Sequence, residues 1–166
     1  MFIIKKVIWT FLIGIVFLTG CANTSGGLMY QQDPEKVNYE IEGNISDDEA
    51  AKDAVEVIET NLYMSQEKDI DEYLNTIVSR AHEQTRKELI HFFENYDLEH
   101  TLLSIEIIDQ SEDTIRLSTA QQTIVLDTKD GVDEYRNHIA EVSYTLIKEN
   151  NLWKIEESIT NNLIFL

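Results

Sequence analysis

The sequence predicts an α+β domain over residues 46–166, with three N-terminal helices followed by four long antiparallel strands. Three observations carry that reading. Apolar residues recur at helical spacing from Ala51 to Tyr96, then alternate once the chain passes Asp97. Asn150-Asn151 separates two alternating runs, and asparagine tolerates the positive φ of a tight hairpin. Residues 1–45 carry an export signal and a tether, which leaves the rest to fold as one domain.

The chain opens with Lys5 and Lys6 ahead of an apolar run from Val7 to Leu18. At about 1.5 Å per residue such a run covers roughly 18 Å as a helix, short of the roughly 30 Å hydrocarbon core. A secretory signal over residues 1–20 fits better than a permanent span. Leu18-Thr19-Gly20-Cys21 follows directly and resembles the bacterial lipobox. That resemblance implies a diacylglyceryl group on the Cys21 sulfur, palmitate among its acyl chains, and cleavage between Gly20 and Cys21. Cys21 is the sole cysteine, so no intramolecular disulfide can form and the exported domain relies on its core.

Residues 21–45 read as the lipidated N-terminus and a flexible tether, with Asn23 to Gly27 and Asp33-Pro34 lacking any periodic pattern. Ser46-Asp47-Asp48-Glu49 then reads as a capping box opening the first helix, whose apolar stripe is Ala51, Ala54, Val55, Ile58 and Leu62. A second helix starts at Asp69 and buries Tyr73, Leu74, Ile77 and Val78. The third, from about Ala81 to Tyr96, turns Leu89, Phe92, Phe93 and Tyr96 inward.

Beyond Asp97, Leu103, Ile105 and Ile107 alternate as a strand requires, and Ile115, Leu117 and Thr119 continue in a second strand reaching Leu126. A third, from Tyr135 to Lys148, places Ala140, Val142, Tyr144 and Leu146 on one face. Leu152-Trp153-Lys154-Ile155 starts the last, running toward Thr160 or beyond. Ile139 and Ile147 give the other face of the third strand apolar content too. A cover over that face is therefore expected, either a second copy or an envelope protein.

In order and in local marks this chain resembles the nuclear transport factor 2-like superfamily. The marks are the helix–turn–helix from Tyr63 to Tyr73, the polar hairpin at Asn150-Asn151, and Trp153-Lys154-Ile155 after it. The resemblance implies a cone: helices in the mouth of a curved four-stranded antiparallel sheet, enclosing a pocket. The superfamily holds isomerases, dehydratases, cyclases, adaptors and accessory domains, so the fold does not choose an activity.

Charge narrows the partners. The formal net charge is -18, and removing Lys5 and Lys6 takes the mature chain to about -20. A surface of that sign repels nucleic acid, which is excluded as a partner. Asp97, Glu106 and Glu141 match no catalytic motif, and the polar strand faces account for Glu106 and Glu141. His82 and His91 lack the one-turn spacing of a helical metal pair, and Lys129 spoils the calcium-loop pattern after Asp127, so no metal is expected. No cofactor motif is present.

Gln121 and Gln122 are polar amides in mid-strand. They are pocket-lining candidates with Tyr144, and a strand leaving the core explains them equally well. The resulting expectation is a lipid-anchored lipoprotein on the extracytoplasmic face of a cell membrane, held there by acyl chains on Cys21. Its domain is expected to bind a protein or ligand and not to be an enzyme. The alternatives are an isomerase- or cyclase-type enzyme using the cone, or a carrier of a small hydrophobic molecule. Abundant Ile, Lys, Asn and Glu fit a Gram-positive source.

Overall fold

The computed structural model describes residues 39–166; the expected signal, Gly20 and Cys21 lie outside them. In chain order the elements are β1 (Ile41–Gly43), α1 (Asp48–Glu67), α2 (Ile70–Asn75), a 3-10 turn (Ser79–Ala81) and α3 (His82–Asn95). The strands β2 (Tyr96–Gln110), β3 (Thr114–Thr128), β4 (His138–Glu149) and β5 (Leu152–Phe165) follow.

Local chemistry sets the helix ends. Asp47 caps α1, its carboxylate accepting from the Glu49 and Ala50 amides at 3.0 and 3.1 Å. The expected serine cap is corrected here. Ser46 is held instead by Gln110 at the end of β2, whose Oε1 accepts from the Ser46 amide at 2.8 Å. Gln110 Nε2 donates to the Asp47 carbonyl at 2.8 Å, so one side chain pins the helix start to the sheet. Lys68 ends α1 in the left-handed region, and Asp69 caps α2 as its sequence position predicts.

The sheet has five strands in the order β1-β2-β3-β4-β5. That corrects the four-stranded, wholly antiparallel expectation, because β1 adds a parallel edge on β2 through the pairs Ile41–Ile105 and Gly43–Ile107. Gly43 has φ +101, and a Cβ there would sit 2.2 Å from the Ile107 carbonyl oxygen. Only glycine lets β1 approach so closely. The hairpin between β4 and β5 is as expected, with Asn150 at φ 54 and Asn151 at φ 63.

The β2–β3 register breaks after Asp97, where β3 holds the extra residue, and after Leu102 and Ile107, where β2 does, and β5 carries two more bulges against β4. Bulges bend and twist the strands that hold them, which curves the sheet. They also explain one misplaced residue. Leu103 was expected inside, but the irregularity beside it puts Leu102 in the core at 9% exposure and leaves Leu103 half-buried.

The helices pack on the concave face. Ala51, Ala54 and Ile58 of α1 and Leu74 after them meet Ile107, Ile115, Leu117, Leu146 and Ile155 in one core. The convex face carries the half-buried Ile139 and Ile147 and the exposed Ile159 and Ile164. Among the described residues no helix is long and apolar enough to cross a membrane.

Candidate functional site

Strand register arranges the inner face in rows whose character changes from one end of the sheet to the other. At one end Ile115, Leu146 and Ile155 lie side by side, fully apolar. One row along are Ile107, Leu117, Tyr144 and Ser158, then Ile105, Thr119, Val142 and Thr160. The next row is Leu102, Gln121, Ala140 and Leu163, and the last is His100, Thr123, His138 and Phe165. Along β3 the inner face thus passes from Ile115 and Leu117 to Thr119, Gln121 and Thr123, all buried. A soluble protein seldom buries three successive polar inner-face residues unless they have partners or a task.

Their partners are specific. Gln121 Nε2 donates to Thr119 Oγ1 and to Tyr144 Oη, both at 2.8 Å. Thr119 Oγ1 lies 3.3 Å from the Val142 carbonyl. Burial pushes the Tyr144 hydroxyl up to about 12, the Gln121 bond pulling the other way, so the phenol stays protonated at every physiological pH. Tyr73, within electrostatic reach of Tyr144, is also raised by burial. Below it Asn61 Nδ2 donates to Thr76 Oγ1 at 2.7 Å, and Thr76 Oγ1 donates to the Tyr73 carbonyl at 2.6 Å.

The last row holds two histidines two strands apart. His100 Nδ1 lies 3.1 Å from Thr123 Oγ1. Burial, helped by the charge His138 would carry, brings the His100 imidazole down to about 4. His138 Nδ1 is 2.8 Å from the Arg136 carbonyl, which can only accept, so Nδ1 is the donor in that bond. Aromatic rings close this end. Phe92, Tyr96 and Tyr135 stack mutually at 5.2 to 5.7 Å, Tyr135 meets His138 at 5.6 Å, and His138 meets Phe165 at 6.4 Å.

The His100 geometry has a pH consequence. Its folded pKa lies below the unfolded value, so the unfolded chain binds the extra proton between about pH 6.5 and 4. Stability therefore falls as pH drops through that window, by roughly 1–2 kcal/mol from this residue between pH 7 and 4.5. Urea midpoints measured at both pH values should draw together in His100→Gln relative to the parent protein.

Of the candidates read from sequence, Gln121 and Tyr144 come together in one hydrogen-bonded group. Gln122 does not join them. It pairs with Thr101 and Ile139 and points to the convex side, as an adjacent strand residue must. Asp97 is exposed and paired with Lys68, and Glu106 and Glu141 are exposed. No Asp, Glu, Lys or Arg is buried among the described residues, nor does any group of three or more His, Cys, Asp or Glu there sit where it could hold a metal ion. Sequence reasoning missed the convergence of His100, Thr123 and His138, because it depends on register across three strands.

Comparisons with solved structures agree on the fold. A candidate scytalone dehydratase from Novosphingobium aromaticivorans aligns with TM-score 0.57 at 17% identity, over 70% of this chain and 88% of that one. A hexachlorocyclohexane dehydrochlorinase, LinA type 2, aligns with TM-score 0.51 at 11% identity, over 70% of this chain and 89% of that one. An NTF-2-like protein of unknown function from Shewanella oneidensis aligns with TM-score 0.50 at 12% identity, over 67% of this chain and 98% of that one. The domain has the nuclear transport factor 2-like fold.

These names correct the expectation that the domain is not an enzyme. Structures with this architecture are named as enzymes, although at such identities the likeness shows fold alone. No curated protein sequence matches the chain. Residues 56–166, most of the α+β domain, match the family described as the C-terminal domain of anti-sigma-I factor RsgI9, and the chain belongs to that family.

Proposed function

We propose that this protein is a lipid-anchored recognition domain on the extracytoplasmic face of a membrane, and that it takes a small ligand into the mouth of its cone. The observation that carries the reading is the inner-face run Thr119, Gln121, Thr123, held with Tyr144 and open toward β5. Across the Gln121 row, exposure rises from 6% at Gln121 and 7% at Ala140 to 42% at Leu163. The same happens in the last row, where His138 is 8% exposed and Phe165 is 52% exposed. A buried polar floor reached past apolar walls is the ordinary form of a small-molecule site.

The anchor rests on Leu18-Thr19-Gly20-Cys21 behind the apolar run. The family name supports a recognition role beside a regulatory protein, since it ties a related domain to an anti-sigma-I factor. The half-buried Ile139 and Ile147 support a protein partner on the convex side, a second copy or an envelope protein.

Ala140→Trp tests the cone reading, because the indole would fill the inner face beside Gln121 and Leu163. With cyclohexanone as a neutral probe, saturation-transfer NMR should detect binding to the parent protein and at least about tenfold weaker binding to the variant. Equal transfer to both folded proteins would contradict the assignment. A second reading, an isomerase- or cyclase-type reaction in the same cone, is favoured by one observation. His100 stays neutral and Tyr144 keeps its proton, so a base and an acid share one face.

A further inference from the structure

The hydrogen bonds around Gln121 leave a definite remainder. Thr119 Oγ1 faces the Val142 carbonyl at 3.3 Å, and a carbonyl can only accept, so the Thr119 proton goes there. Thr119 Oγ1 must then accept from Gln121, which turns the amino end of the carboxamide toward Thr119. The second Gln121 N–H goes to Tyr144 Oη at 2.8 Å. Both amide hydrogens are spent. Among the described residues, Gln121 Oε1 accepts from nothing and the Tyr144 O–H donates to nothing. Both residues are only 6% exposed, yet no fully buried side-chain nitrogen or oxygen among the described residues lacks a partner, so Gln121 Oε1 keeps contact with solvent and is open to a ligand.

Charge decides what could use that remainder. No Asp, Glu, Lys or Arg is buried among the described residues, so an ionic group entering here would lose its hydration without meeting a counter-charge. Beside Ala140 and His138 the exposed inner-face residues of β5 are the apolar Leu163 and Phe165, and beside Val142 and Tyr144 they are the uncharged Thr160 and Ser158. Building on the cone reading above, we propose that Tyr144 Oη and Gln121 Oε1 form a two-point recognition site for an uncharged ligand. That ligand presents a hydrogen-bond acceptor and an adjacent N–H or O–H donor on an otherwise apolar body. A lactam or a simple amide has that pattern: its carbonyl oxygen takes the Tyr144 proton while its N–H is given to Gln121 Oε1. Thr119 acts through Gln121 as a positioning residue, fixing which end of the carboxamide faces the ligand.

The test uses the full chain in detergent with δ-valerolactam and N-methyl-δ-valerolactam, which differ only in the donor. Saturation-transfer titration should show the parent protein binding the unsubstituted lactam about tenfold more tightly, because the methyl group leaves Gln121 Oε1 unpaired. Gln121→Met should weaken the lactam by a similar factor and erase the discrimination between the two probes. Tyr144→Phe should weaken both probes and leave their ratio intact, which a merely structural role for Tyr144 would not produce. If the parent protein binds both probes equally at the inner face, the two-point site is wrong and the cone reading survives. If neither probe, nor cyclohexanone, perturbs any inner-face signal, the cone reading fails with it. The comparison of the two lactams on the parent protein stands even if a variant does not fold.

Discussion

Cys21→Ala is expected to abolish incorporation of alkynyl palmitate and to eliminate the lipidated mature N-terminus. Each buried methylene of an acyl chain contributes about 0.8 kcal/mol of membrane affinity, and two chains give stable anchoring where one is marginal. No other cysteine could take the group in its place. The helices of the described residues offer no apolar span as a substitute. On the proposal of an acyl anchor, membrane retention therefore hangs on one sulfur. Labelling that persists in the alanine variant, or is absent from the parent protein, would remove the anchor from this account.

Leu146→Ala should cost the fold roughly 3 kcal/mol, within the range of about 2–5 kcal/mol for deleting a buried leucine side chain. Leu146 is 0% exposed and lies on the inner face between Ile115 and Ile155, its partners on the two flanking strands. It belongs to the cluster that joins Ala54 and Ile58 of α1 to the sheet, so neither layer can collapse onto the gap without moving the other. Against a total of about 5–15 kcal/mol for a typical domain, that loss is a large fraction. Urea unfolding should place its midpoint well below that of Ile159→Ala, a truncation at a site 49% exposed that should change stability by about 0.5 kcal/mol at most.

Much of this fold was legible because its punctuation is local. Asp69 sits where a helix cap must, the change of period after Asp97 separates helices from strands, and Asn150-Asn151 supplies two left-handed residues for a two-residue turn. What escaped was not local. β1 is three residues long, too short for alternation to register, and it exists because Gly43 can lie against Ile107. Bulges move residues between faces without altering composition, which is why Leu102 and not Leu103 is inside.

The site divides in the same way. Counting by twos from Ile115 through Thr119 puts Gln121 and Thr123 on the inner face and Gln122 on the convex one, and that parity was available from sequence. The hydrogen bond from Gln121 to Tyr144 joins residues 23 positions apart, and the His100–Thr123–His138 row spans three strands. Both depend on register, which hydrophobic pattern alone leaves undetermined. The likeness to enzymes of this fold therefore came from architecture, while the proposed donor and acceptor came from the chain's own hydrogen bonds.

Native mass spectrometry of the protein recovered from its own membranes tests the central claim most directly. The account predicts a chain that begins at Cys21, carries its acyl groups there, and releases an uncharged small molecule on gentle activation. A bare chain with its first twenty residues intact, arriving empty from every preparation, would contradict it.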